Sequence, residues 1–223
     1  RRFPELPSQL TQYLHLPPVM KDAHRKLSKR YGDASYEDFI RRGFLKEAIL
    51  NYIALLGWAP KGEREIFSLS ELVEEFDISG LSKSPAIFDP LKLKAINAEY
   101  IRMMTPEKFL EHAGPYIRQS VHRTDVDLSK IAALLQNRTE VFTDIPDQVD
   151  FIDSMPDYDL SLYENKKMKT NRDTSLEVLK KALPALEGLT EWNMDGLHEC
   201  LFGLVAEMGA KNGYVLWPVR VAI

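Results

Sequence analysis

One segment of this chain has residue types and spacing that suggest chemistry: His24-Arg25-Lys26-Leu27-Ser28-Lys29-Arg30-Tyr31-Gly32-Asp33-Ala34. Five of its first seven residues are basic or can become so, and Gly32 frees the backbone before a helix begins near Ser35. Lys26 and Lys29 stand three residues apart and can swing against a polyphosphate as point charges. There they would neutralise the charge that grows on a departing pyrophosphate, which stabilises a transition state electrostatically. As a bare pattern, Lys-x-Ser-Lys also describes an ordinary solvated basic loop, and on spacing alone that plainer reading is favoured.

Other self-contained chemistry is hard to find. The sequence has no Gly-x-x-x-x-Gly-Lys phosphate loop, no Gly-x-Gly-x-x-Gly, no His-Glu-x-x-His and no Gly-x-Ser-x-Gly. His15, His24, His112, His122 and His198 are scattered, so no metal site is expected. The single cysteine, Cys200, excludes an intramolecular disulfide and fits a reducing, cytoplasmic setting. It reads as a small buried hydrophobe.

Charge is unevenly spread along the 223 residues, whose net charge is −4. Residues 1–50 hold 10 Lys and Arg against 6 Asp and Glu, and the remainder holds 19 against 27. That balance argues against a uniformly basic nucleic-acid binder while leaving room for local patches. Asp144, Asp147, Asp150, Asp153, Asp157 and Asp159 follow one another without a Lys or Arg between them and read as a solvated face. Lys166, Lys167, Lys169 and Arg172 cluster just beyond, before a helix start, as candidate phosphate contacts. No apolar run approaches the roughly 18 residues of a membrane span.

The elements that must position these residues are helical almost throughout. Leu45, Ala48, Ile49, Tyr52, Ile53 and Leu56 form one amphipathic stripe that Gly57 stops. A short helix is expected over 70–76 with Ser70 as its N-cap. Asp89-Pro90 opens a helix through about Met104, and Thr105-Pro106 repeats the device until Pro115 breaks or kinks it. Leu128–Leu135, Ser175–Leu186 and Asn193–Met208 carry further stripes, and only 213–221 reads as a short strand. The ends, Arg1-Arg2-Phe3 and Val221-Ala222-Ile223, read as those of an excised piece.

Several blocks together resemble the glutamyl form of the class I aminoacyl-tRNA synthetases. Lys26-Leu27-Ser28-Lys29-Arg30 with Gly32 and Ala34 is similar to that family's second signature loop, and His15-Leu16-Pro17 to the strand end before it. Gly43–Tyr52 with Leu55-Leu56-Gly57-Trp58 resembles the next helix. Phe67-Ser68-Leu69, Phe76-Asp77, Ser82–Ala86, Phe88-Asp89-Pro90 and Tyr100-Ile101-Arg102 follow in the family's order, and Trp217–Ala222 resembles a segment near its end.

The resemblance implies a mainly α fold, with a stem-contact helical region followed by an all-helical anticodon-binding bundle. It divides the chain into 1–35, the tail of a catalytic domain with the loop; 36–104, stem contact; and 105–223, anticodon binding, with a subdivision near 144–165. Glutaminyl enzymes and the archaeal and eukaryotic-cytosolic glutamyl enzymes would carry β-barrels here. The helical periodicity therefore selects a bacterial or organellar glutamyl form. The implied reaction joins glutamate to ATP with magnesium, releases pyrophosphate, and transfers the glutamyl group to tRNA(Glu). By position Lys29 is the ATP-contacting second lysine, with Lys26, Ser28 and Arg30 completing the loop. No zinc ligands equivalent to those of some members occur here.

Since the His-Ile-Gly-His motif and glutamate pocket are missing, the chain alone is expected not to aminoacylate. A monomer without membrane attachment is expected. Arg118, Arg123, Gln136, Arg138, Lys166 and Lys167 are the candidate tRNA contacts. Gln136 falls where some members carry an arginine that reads the third anticodon base, with Arg138 two residues on. A neutral amide there would relax discrimination between glutamate and glutamine tRNAs. The competing class is a noncatalytic helical interaction or RNA-binding module. A free-standing ATP-dependent enzyme would need a nucleotide pocket that is absent.

Overall fold

Capping and apolar spacing account for nearly every helix in the computed structural model, which describes residues 14–28, 35–155 and 157–223. Ten α-helices lie among the described residues: α1 (Tyr36–Arg41), α2 (Lys46–Leu55), α3 (Leu69–Glu75), α4 (Pro90–Arg102), α5 (Pro106–Ser120), α6 (Leu128–Leu135), α7 (Ile145–Val149), α8 (Arg172–Glu187), α9 (Met194–Glu207) and α10 (Asn212–Ala222). No strand occurs among those residues, only isolated bridges, so the expected strand end at 15–17 is irregular chain.

Ser35 and Asp38 form a reciprocal capping box at α1. At α3 the same device is built from Ser68 and Glu71, so this helix starts two residues before the expected Ser70. Asp89 accepts from the Leu91 and Lys92 amides ahead of α4, and Thr105 from the Lys108 amide ahead of α5. Both helices start with proline, whose missing N–H costs nothing in the first turn.

Two expectations fail for one reason. Pro115 does not end α5, and the segment expected as a strand is α10, with Pro218 inside it. In each case a continuous buried stripe outweighs the hydrogen bond that proline removes. The stripe is Phe109, Ala113 and Ile117 in α5, and Val215 with Val219 in α10. The valine-rich run imitates a strand locally, but its buried members sit four residues apart. On α2, Ile53 leaves the expected stripe and is exposed. Cys200 is half-buried rather than buried.

The chain divides into two compact units, Arg1–Met155 and Pro156–Ile223. In the first, α2 packs on α4, and α5 on α6 and α7. One core joins Ile49, Leu93, Ile101, Phe109, Ile117, Ile145 and Val149 across all of them. Fully burying each such side chain stabilises by about 1.5–3 kcal/mol. The second unit is a three-helix arrangement of α8, α9 and α10 around Val178, Ala182, Leu204, Val215 and Val219.

Two buried asparagines stitch the first unit together. Asn51 Nδ2 donates to the Glu65 carbonyl (2.7 Å), and its Oδ1 accepts from the Phe67 amide (2.7 Å). Asn97 accepts from the Leu45 amide (2.8 Å), which caps α2 where Leu45 offers no side-chain oxygen, and donates to the Glu140 carbonyl (2.6 Å). Gly43 has φ +77°, and a Cβ there would meet the backbone nitrogen of Thr143 at 2.8 Å. Its left-handed turn is therefore needed where α1 ends against the 142–143 backbone.

Candidate nucleic-acid interface

The basic segment is built from a tight turn. Asp22 Oδ1 accepts from the amides of His24 and Arg25 (2.9 Å each), and its carboxylate pairs with the Arg25 guanidinium at 2.6 Å. The His24 amide first, and then Arg25, hold the Asp22 carboxyl below its usual range. The turn brings the chain back on itself, so the Leu27 amide donates to the Val19 carbonyl (3.0 Å). Met20 then pins it to the approach of α4, donating to Ala86 (2.8 Å) and accepting from Phe88 (2.8 Å).

Phe88 is itself held by the Phe39 and Tyr52 rings, 5.7 and 5.4 Å away. This frame fixes the base of the loop to the first unit's core and leaves Lys26 exposed at its edge, with Ser28 half-buried beyond. Lys29 and Arg30 lie outside the described residues.

The candidate RNA contacts of the first unit have different fates. Arg118 turns back onto its own chain, donating to the carbonyls of Val121 (3.3 Å) and Arg123 (2.7 Å). Arg123 forms a two-pronged pair with Asp125 at 3.0 and 2.6 Å. Gln136 Nε2 donates to the carbonyls of Met104 (2.8 Å), just past the end of α4, and Ile101 (3.1 Å), which also accepts from the Met104 amide (3.2 Å). Arg138 is exposed, and its side chain has no hydrogen-bond or ion-pair partner among the described residues.

The aspartate run is only partly a solvated face. Asp153 accepts from the amides of His122 (2.6 Å) and Arg123 (3.3 Å), and the former bond leads in holding its carboxyl below the usual range. Asp144 pairs with Lys94 at 3.4 Å, and Asp159 caps the turn at 160–163 through the Ser161 amide (2.8 Å).

In the second unit, Lys166 and Lys167 sit on a closed hairpin. Asn165 and Thr170 exchange two backbone bonds of 3.1 Å, and Asn165 Oδ1 accepts from the amides of Lys167 (3.0 Å) and Met168 (3.1 Å). Lys169 has φ +58°, a conformation that costs a non-glycine residue roughly 1–2 kcal/mol. Met168 is clamped over Gly213, where a Cβ would meet its sulfur. Lys181 of α8 and Lys211 before α10 join Lys167 and Lys169 around one cleft. Sequence reading named neither, because 44 residues separate Lys167 from Lys211 and only folding brings them together.

Nearby, Trp217 Nε1 donates to the Leu162 carbonyl (2.9 Å), which ties α10 to the 160–163 turn. The Tyr163 hydroxyl meets that of Tyr158 at 2.7 Å, and burial leads in pushing its pKa up to about 12.

Two family models match the chain. The anticodon binding domain covers residues 108–223, and the catalytic domain of class I (E and Q) tRNA synthetases covers residues 4–95. A glutamate–tRNA ligase of Clostridium acetobutylicum is 50% identical over 211 residues, 95% of this chain and 44% of that protein. One from Clostridium tetani is 53% identical over 212 residues, 95% of this chain and 43% of that protein. The crystal structure of a glutamate tRNA ligase from Elizabethkingia meningosepticum, in complex with its amino acid, superposes with a TM-score of 0.77 at 26% identity, covering 93% of this chain and 44% of that one. The chain spans less than half the length of these relatives.

Proposed function

The chain belongs to the family of anticodon binding domains, and from that premise we propose that it is the tRNA-reading part of a glutamate–tRNA ligase. The whole enzyme would activate glutamate with ATP and transfer it to tRNA(Glu). The observation that carries this reading is similarity along 95% of the chain to ligases bearing that name. The helical second half supports it, since it is matched over 108–223 and lacks any strand among its described residues.

Residues 36–104 would contact the acceptor stem and 105–223 the anticodon arm. Lys26 and Ser28, with Lys29 and Arg30, would face the phosphates of ATP. Lys26 suits this role because it is exposed on a frame that the first unit's core holds in place. Magnesium would accompany the nucleotide's phosphates.

Among the candidate RNA contacts, Arg138, Lys166 and Lys167 are favoured by exposure. Gln136, Arg118 and Arg123 would first have to leave internal partners. Gln136 still bears on specificity: at this position it leaves the third anticodon base without an arginine's charged fork. Among the described residues no helix is long and apolar enough to cross a membrane, and a monomer working in the cytoplasm fits one cysteine and an acidic surface.

Titrating the chain with tRNA(Glu) and an unrelated tRNA, each at two salt concentrations, tests the proposal. Preferential binding of tRNA(Glu) that weakens as salt rises is expected. Equal or absent binding would contradict it and favour a helical module with a protein partner. No adenylate formation by the 223-residue chain alone is expected, because its sequence holds no pocket that orients ATP against glutamate.

A further inference from the structure

The second unit separates its charges. It carries eight Lys and Arg against ten Asp and Glu, yet the two signs occupy different clefts. One cleft, of about 570 Å³, is lined by Lys167, Lys169, Lys181 and Lys211 with a single carboxylate, Glu177. Another is lined by Glu191, Asp195 and Glu199 with no Lys or Arg. None of the four lysines has an ion-pair or hydrogen-bonding side-chain partner among the described residues, although Glu177 stands one helical turn before Lys181.

Four lysines line one cleft against a single carboxylate, so their charges repel on balance, and an anion between them removes that repulsion. The convergence is built into the fold. The 165–170 hairpin is closed by two backbone bonds, the Met168 sulfur lies against Gly213, and Lys169 holds a left-handed backbone that sets the direction of its side chain.

We propose that this cleft is a phosphate clamp for an RNA strand, seating consecutive backbone phosphates between the 165–170 hairpin, α8 and the start of α10. The assignment deepens the tRNA-reading proposal and rests on it for the class of partner. The volume is that of a site for a drug-sized ligand, more room than one free phosphate fills. Lysine is the residue type that meets phosphates as a mobile point charge without demanding one geometry, which suits a backbone contact rather than base readout. Tyr214, half-buried against the second unit's core, also lines the cleft.

The test measures RNA affinity against salt for paired variants of the 223-residue chain. Lys181→Gln and Lys180→Gln remove the same charge from adjacent positions of α8, about 100° apart around the helix, and only Lys181 lines the cleft. Lys181→Gln and Lys211→Gln should each lower the slope of log affinity against log salt by about 0.7–0.9, while Lys180→Gln leaves it unchanged. Lys169→Gly should lower the slope equally while keeping or raising the melting temperature, because it removes the charge and relieves the backbone together.

Equal effects of Lys180→Gln and Lys181→Gln would overturn the clamp. An unchanged slope in Lys169→Gly/Lys181→Gln/Lys211→Gln would do the same, and with tRNA(Glu) still preferred the tRNA-reading proposal would stand alone. A lowered slope with no preference between tRNAs would keep the clamp and remove the glutamate assignment. No binding of either RNA would remove both. Inorganic pyrophosphate titrated alone should bind far more weakly than tRNA, and comparable affinity would make the cleft a small-anion site instead.

Discussion

The two units differ in the share of their cations that is paired. In the first, several cations pair internally, although Arg138 does not: Arg64 pairs with Glu71, Lys92 with Glu65, Lys94 with Glu140 and Asp144, Arg102 with Glu99, and Arg123 with Asp125. Its buried asparagines have both ends of their amides bonded. In the second unit, the ion pair among the described residues is Arg172 with Glu164 at 3.6 Å, and the buried hydroxyls of Thr170 and Ser175 have no partner, as the buried Gln148 Oε1 has none in the first. A larger share of the cations is left unpaired in the second unit, and unpaired charge is what a polyanion can use. A count of basic residues along the sequence cannot make this distinction.

The comparison can be broken most forcefully at Asn51. Asn51→Ala would strand the Glu65 carbonyl and the Phe67 amide in a buried site, and the Tyr100 hydroxyl would lose one of its two acceptors. A loss of about 3 kcal/mol or more is expected in urea unfolding. Stability within about 0.5 kcal/mol of the parent would mean the network is dispensable. Asn97→Ala should follow at about 2–3 kcal/mol, since it uncaps α2 and frees the Glu140 carbonyl.

Gly43→Ala should cost about 2 kcal/mol through its left-handed backbone and the Thr143 backbone contact, read as a lower melting temperature. Gln136→Ala should cost about 1 kcal/mol by taking the donor from the Met104 carbonyl, a stability effect separate from any change in tRNA choice.

Glu71 supplies a pH-dependent arm. The Arg64 guanidinium first, then the Ser68 amide, hold its carboxyl at about 2 instead of 4.5. A depressed carboxylate pKa contributes stability above the unfolded value and loses it as pH falls from about 4.5 toward 2. Glu71→Gln should flatten acid unfolding within that window, and an unchanged acid limb would contradict the pairing. The smallest effect is expected in the second unit: Ser175→Ala should leave the melting temperature unchanged or slightly raised, because no bond is lost with the hydroxyl. A clear drop would mean that this unit also relies on a polar network.

Helix positions were legible wherever a cap and a buried stripe agreed. Asp89-Pro90, Thr105-Pro106 and Leu128–Leu135 could be read from local chemistry alone. The helix over 212–222 was hidden because a valine-rich run imitates a strand locally, and α5 runs on past Pro115 because the burial of Ile117 lies in tertiary contacts that local sequence does not show. The basic loop was legible through its block resemblance, and its anchoring on Met20 and Phe88 was not, because those bonds join segments more than 60 residues apart. Among the RNA-contact candidates, sequence could rank by residue type only. Arg118 and Arg138 look alike as letters, yet one is spent on carbonyls and the other is exposed.

Amide hydrogen exchange of the 223-residue chain with and without tRNA(Glu) tests the central claim most directly. The account predicts slowed exchange at 165–170 and 211–214, where lysines lack partners, with little change at Asn51 and Asn97, whose networks are already closed. Protection confined to the 118–125 segment, or spread evenly over both units, would contradict it.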